Sequence, residues 1–69
     1  MVTGREREVL EFLVGGRSNK EIGAALGIEE RTVKAHISKL MQKNGVKNRL
    51  ALSVHAVTHS LVSSSSKSN

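Results

Sequence analysis

The 69-residue chain contains no cysteine, proline, tryptophan or tyrosine, and Phe12 is its single phenylalanine. Without cysteine it can form no disulfide and offers no thiolate for zinc binding or nucleophilic catalysis. So few aromatic rings argue against single-strand binding, which stacks bases on flat side chains. No apolar run has the length of a membrane span, and no signal-peptide pattern opens the sequence. We therefore expect a small cytoplasmic domain stabilised by helix packing, dimerisation or both.

Acidic residues are missing from the second half of the chain. Residues 1–30 hold six acidic and four basic side chains, whereas residues 31–69 hold seven basic and no acidic ones. A one-sided positive field attracts a polyanion such as DNA, RNA or an anionic membrane. A solvated basic surface would have the same composition, so charge alone leaves both interpretations open.

Capping signals and apolar periodicity predict four helices and no strands. The first two follow Thr-x-x-Glu and Ser-x-x-Glu capping boxes at Thr3 and Ser18 and stop at glycines. The third covers about 30–44, and the fourth runs from Arg49 to about Val62. We expect the domain to comprise residues 1–62 and the serine-rich tail 63–69 to be disordered.

Apolar side chains at helical spacing predict the core-facing side of each later helix. The second helix presents Ile22, Ala25 and Leu26. The third presents Val33, Ile37, Leu40 and Met41, and the fourth presents Leu50, Val54, Val57 and Leu61.

Residues 18–44 have the pattern of a helix-turn-helix, in which Gly27 permits a sharp turn between two short helices. The side of the third helix opposite its apolar stripe is rich in donors: Arg31, Ala35, Ser38, Lys39 and Gln42, flanked by Thr32, Lys34 and His36. A small residue such as Ala35 at the centre lets a helix sit deeply against base edges. The long side chains of Arg31 and Lys39 beside it can reach guanine edges or phosphates.

Four segments together resemble the LuxR-type helix-turn-helix domain, also called the GerE or NarL/FixJ-type effector domain. They are TGREREVL at 3–10, SNKEIG at 18–23, RTVKAHISKL at 31–40 and GVKNR at 45–49. The resemblance spans roughly residues 3–62 and keeps the order of the motifs in the family. It implies an all-α, four-helix bundle that binds double-stranded DNA in transcription regulation, commonly as the effector domain of a response regulator.

The resemblance also implies roles for single residues. Lys34, Ala35 and Ser38 match positions that face bases in the major groove. Lys20, Thr32 and His36 match positions near the phosphate backbone. Glu6 and Arg49 match a pair that often ties the first helix to the fourth, and the fourth helix commonly supplies a homodimer contact.

Three positions depart from the usual family pattern. Glu29 stands where Ser or Thr often caps the recognition helix, and glutamate is a poorer cap, although its charge suits a helix N-terminus. Gly23 replaces a more usual alanine and would let another helix approach closely. Leu52 replaces a small alanine in the fourth helix.

Other interpretations of the same residues are weaker. His55 and His59 are four apart, but a zinc site requires three or four protein ligands, so we expect no metal. Glu6, Glu8 and Glu11 lie among arginines and favour ion pairs over catalysis. We therefore expect no enzyme activity, no cofactor and no small-molecule ligand in this segment. The candidates for a subunit contact, beside the predicted stripe of the fourth helix, are Ala51, His55, Thr58 and Val62.

Two rival functions remain open. A helix-turn-helix can serve as a protein docking or dimerisation module whose basic face binds an acidic partner. The promoter-reading end of a sigma factor has the same architecture, but polymerase-binding regions would precede it. Because Thr3 starts the first motif almost at the first residue, we expect an isolated effector domain or a small free-standing regulator. RNA polymerase is a further expected partner.

Overall fold

The computed structural model describes residues 3–59 and contains four α-helices and no strand in that range. The helices are α1 Gly4–Val14, α2 Asn19–Leu26, α3 Glu30–Asn44 and α4 Arg49–Thr58. The all-α fold class and the position of the third helix are confirmed. His59 caps the described part of α4. The predicted end near Val62 and the tail 63–69 lie outside the described residues.

Both predicted capping boxes form. At α1, the Glu6 N–H donates to Thr3 Oγ1 at 3.2 Å, and the Thr3 N–H donates to Glu6 Oε1 at 3.0 Å. At α2, the corresponding distances between Ser18 and Glu21 are 3.1 and 2.9 Å. Each box satisfies backbone donors that the first helical turn leaves without partners, which fixes where the helix begins.

The core lies between α1, α3 and the inner sides of α2 and α4. Its buried apolar members are Val9, Leu10, Leu13, Ile22, Val33, Ile37, Leu40, Leu52 and Ala56. The predicted core stripe of α3 is confirmed, with Met41 half-buried at its edge. On α2 the stripe is narrower than predicted, because Ala25 is exposed and Leu26 is half-buried.

The predicted core face of α4 is wrong. Leu50, Val54 and Val57 are 73%, 54% and 40% exposed, and it is Leu52 and Ala56 that pack into the core. The predicted fourth member, Leu61, lies outside the described residues. Because α4 carries apolar residues on two opposite sides, its periodicity fits either orientation, and contact with α1 and α3 selects the Leu52 side.

The turn between α2 and α3 is compact because of two glycines. Gly27 ends α2 in the left-handed conformation, with φ of 71°, which a glycine adopts without steric cost. A Cβ at Gly23 would lie 2.7 Å from the Ile28 carbonyl oxygen. The sequence predicts a close approach of another helix at Gly23, but the approach is made by the backbone of the turn, which brings the start of α3 tightly against α2.

Candidate nucleic-acid interface

The outward side of α3 carries the largest group of predicted site residues that the structure brings together. Lys34, Ala35 and Ser38 are all exposed. Val33, Ile37 and Leu40 are buried on the opposite side of the same helix and anchor it to the bundle. The helix therefore offers small and polar side chains to a partner while its aliphatic side holds it in place.

The predicted phosphate contacts surround this outward side. Lys39 and Arg31 are exposed on α3, and Lys20 is exposed in the first turn of α2. Thr32 and His36 are half-buried along the edge of α3. Their hydroxyl and imidazole groups are thus placed at the border of the exposed surface, where a groove wall would lie if α3 entered a groove.

Ion pairing separates the cations within residues 3–59 into those that have a carboxylate partner and those that have none. Arg5 pairs with Glu8 at 3.5 Å and Arg7 with Glu11 at 3.8 Å, as expected for α1. None of the ion pairs formed within residues 3–59 involves Lys20, Lys34 or Lys39. Lys20, Lys34 and Lys39 therefore keep their positive charge available to a partner, while Arg5 and Arg7 of α1 are offset by neighbouring carboxylates.

Lys43 is a basic residue of α3 that forms an ion pair with α1. Its Nζ donates to both carboxylate oxygens of Glu6, at 2.8 and 3.0 Å. Glu6 is only 4% exposed. The hydrogen bonds from Lys43 and from the Thr3 N–H lower the pKa of the Glu6 carboxyl below its ordinary value of 4.5, against the opposing effect of burial.

The expected pair between Glu6 and Arg49 is wrong. Glu6 binds Lys43, and the Arg49 guanidinium donates instead to the Arg17 carbonyl at 2.7 Å and to the Asn19 side-chain oxygen. Arg49 thus ties the start of α4 to the start of α2. This places a hydrogen-bonded brace directly beside Lys20, which sequence reasoning missed because the partners lie 30 or more residues apart.

The start of α3 has no side-chain cap. Glu29 occupies the N-cap position, but its carboxylate makes no hydrogen bond to the first turn. Its Oε1 instead accepts from Arg31 Nε at 2.7 Å. The two side chains remain 68% and 86% exposed. Arg31, a predicted DNA-contacting cation, is therefore already paired with a carboxylate at the start of α3.

The predicted subunit-contact residues lie on one flank of α4. Ala51 and His55 are half-buried and Thr58 is exposed, with its hydroxyl donating to the Val54 carbonyl at 2.9 Å. Val62 lies outside the described residues. The His55 and His59 rings stack with centroids 4.0 Å apart, and residues 3–59 contain no cluster of three metal-ligating side chains. Within that range, no helix is long and apolar enough to cross a membrane.

Comparison with known proteins places this geometry in a family. The profile of the bacterial regulatory proteins of the luxR family matches residues 1–56. The chain is 47% identical over 60 residues to the transcriptional regulatory protein YhcZ of Bacillus subtilis (strain 168), which is 87% of this chain and 28% of YhcZ.

Solved structures that are similar to the chain include GerE and ChrA. The transcription factor GerE has a TM-score of 0.84 and 40% identity, over 90% of this chain and 92% of that one. The response regulator ChrA of a heme-sensing two-component system has a TM-score of 0.85 and 39% identity, over 90% of this chain and 31% of that one. The chain thus spans less than a third of the lengths of YhcZ and ChrA.

Proposed function

The chain belongs to the LuxR family of bacterial regulatory proteins and is a DNA-binding domain of transcription regulation, and we propose that it reads double-stranded DNA with α3 in the major groove. The observation that carries this proposal is the exposure of Lys34, Ala35 and Ser38 on a helix whose other side is fixed in the core. A helix presented in this way fits the width of the major groove.

The proposed contacts divide into two classes. Lys34, Ala35 and Ser38 face base edges: the lysine donates to guanine acceptors, the serine hydroxyl donates or accepts, and the alanine methyl packs on a thymine methyl. The phosphate contacts are made by Lys20, Thr32, His36, Arg31 and Lys39. They hold α3 in the groove and read no base directly.

We propose that the domain acts as a homodimer through α4. Leu50, Val54 and Val57 form an exposed apolar stripe, which we call the α4 outer stripe, on the side of α4 away from the core. The α4 outer stripe forms the centre of the interface, and Ala51, His55 and Thr58 lie at its rim. A twofold dimer reads two half-sites about one helical turn apart.

The proposed context is a cytoplasmic, non-enzymatic regulator. Because ChrA is a response regulator and the chain spans only part of it, we infer that the domain serves as the effector unit of a response regulator or a similar protein. Transcription is the regulated process, so RNA polymerase is the expected protein partner at the bound promoter.

Binding titrations of three single alanine variants test the division of roles. A preferred site is first selected from random duplex DNA, and each variant is then titrated with that site and with random DNA at several salt concentrations. Lys20→Ala should weaken both complexes similarly and reduce the salt slope by about 1. Lys34→Ala and Ser38→Ala should lose about 1–3 kcal/mol of preference for the selected base pairs.

Arg5→Ala is the matched control, since it removes a cation from the exposed side of α1 and should leave the salt slope unchanged. Equal losses on selected and random DNA for all three test variants would contradict the assigned roles. No complex even at low salt would contradict DNA binding and favour a docking module for an acidic protein.

A further inference from the structure

Glu29 places a negative charge where the proposed complex brings α3 closest to DNA. In a helix-turn-helix, the N-terminal residues of the recognition helix approach the base edges. Glu29 is the N-cap of that helix and is exposed, yet it caps nothing. Glu29 would repel phosphates and gives the helix no capping bond, so its favourable effect on α3 itself is limited to its charge, which suits the N-terminal end of a helix.

The hydrogen bond between Glu29 and Arg31 gives the Glu29 carboxylate a second role. The 2.7 Å contact joins a carboxylate oxygen to the guanidinium Nε, so the positive charge of Arg31 is partly offset by its neighbour. Exposed pairs of this kind are weak, typically below 1 kcal/mol, and a well-placed phosphate can therefore replace the carboxylate. Arg31 has two competing anionic partners, one built into the protein and one supplied by DNA.

The competition differs between loose and well-fitted complexes. Binding to random DNA is almost entirely electrostatic and does not fix the position of any one phosphate. In a specific complex, base contacts hold the helix in one register, and a phosphate can then meet the guanidinium fork with two parallel hydrogen bonds. Replacement of the Glu29 carboxylate by a DNA phosphate as the partner of Arg31 is therefore favourable only in the specific complex.

We propose that Glu29 is a specificity-determining residue that withholds Arg31 from DNA phosphates until the recognition helix is in register. This inference rests on the proposed orientation of α3. It makes Arg31 a conditional contact, unlike Lys20 or Lys39, which form no ion pair within residues 3–59. The pair raises the ratio of specific to random affinity instead of raising affinity itself.

A double-mutant cycle with Glu29→Gln and Arg31→Gln tests the proposal. Glu29→Gln keeps the side-chain shape and removes the charge, and it should raise affinity for random duplex about two- to fivefold, with a smaller gain on the selected site. In the wild type, Arg31→Gln should reduce the salt slope on the selected site but leave it unchanged on random DNA. In the Glu29→Gln background, it should reduce the slope on random DNA by about 1.

Glu30→Gln is the control for charge alone. Glu30 is the next carboxylate along the same turn and makes no ion pair within residues 3–59. In its background, Arg31→Gln should behave as it does in the wild type. Far-ultraviolet circular dichroism of each variant verifies that the helices are retained.

Two results would overturn the proposal. In one, Arg31→Gln changes the salt slope on random DNA equally in the wild-type and Glu29→Gln backgrounds. In the other, it changes that slope in neither background. Those outcomes leave DNA binding by the domain intact, because they are measured on complexes that form. Absence of any wild-type complex would overturn the proposed function together with this inference.

Discussion

Glu6 illustrates how one side chain can fix both a helix start and a contact between helices. It is the only buried charged residue within residues 3–59, and its carboxylate accepts from the Thr3 N–H and from Lys43 Nζ. All of its strong partners favour the ionised form, and the pKa of its carboxyl lies below the ordinary value of 4.5. The stabilisation that it gives therefore depends on pH.

Glu6→Gln tests this at the residue scale. The amide keeps the shape but loses the charge-assisted bond from Lys43, so the free energy of unfolding should fall by about 1–3 kcal/mol at pH 7. Because the folded-state pKa is depressed, the contribution of Glu6 is present above pH 4.5 and is lost as the pH falls through the folded-state value. Urea unfolding of both proteins from pH 7 down to pH 3 measures the difference.

The control for Glu6 is Glu8→Gln, which removes a carboxylate whose ion pair with Arg5 is exposed. It should change stability by less than about 0.5 kcal/mol. A difference between the wild type and Glu6→Gln that stays constant across the acid range would contradict the assigned role.

At the scale of single helices, local signals determine α1, α2 and α3 well. The capping boxes at Thr3 and Ser18 mark two starts, and Gly27 and Gly45 mark two ends in the left-handed conformation. These features depend on residues within four positions of one another, so the sequence alone predicts them. The amphipathic stripe of α3 is equally local and also predicts which side faces outward.

The orientation of α4 and the long-range polar contacts could not be predicted in this way. Leu50 and Leu52 are both apolar, and only packing against the other helices decides which of them is buried. Lys43 and Glu6 are 37 positions apart, and no periodic pattern marks such a pair. The family resemblance supplied a different partner for Glu6, because it carried over residue types without the geometry of this chain.

Val54→Glu tests the role of α4 at the same scale. Val54 is 54% exposed, so the substitution should leave the bundle folded. A charge in the centre of the proposed interface should lower affinity for a duplex with two half-sites about tenfold or more. Affinity for a single half-site should stay within about twofold, because α3 is untouched. Electrophoretic mobility shifts with both duplexes measure the two effects.

Thr58→Glu separates the two possible faces of α4. Thr58 lies on the flank, so its substitution should weaken binding to paired half-sites less than Val54→Glu does. The reverse order of effects would place the subunit contact on the flank that the sequence analysis identified. Equal and small effects of both variants would contradict dimerisation through α4.

At the scale of the whole molecule, the distribution of charge and the anchoring of α3 both indicate the exposed side of α3 as the DNA-binding surface. Arg5 and Arg7 form ion pairs within α1, and Lys43 forms an ion pair with Glu6. The remaining cations of the helix-turn-helix therefore surround the exposed side of α3. Arg49 adds rigidity by bonding the start of α2 to the start of α4, which joins the proposed DNA-contacting and dimer-forming parts of the fold.

The most direct test of the central claim is an intermolecular nuclear Overhauser experiment on the isotope-labelled domain bound to its selected duplex. The Ala35 methyl group should show contacts to major-groove protons, such as a thymine methyl or a cytosine H5, because α3 presents Ala35 at the centre of its exposed side. Contacts from Ala35 to no DNA proton, while another surface of the domain shows them, would contradict the account.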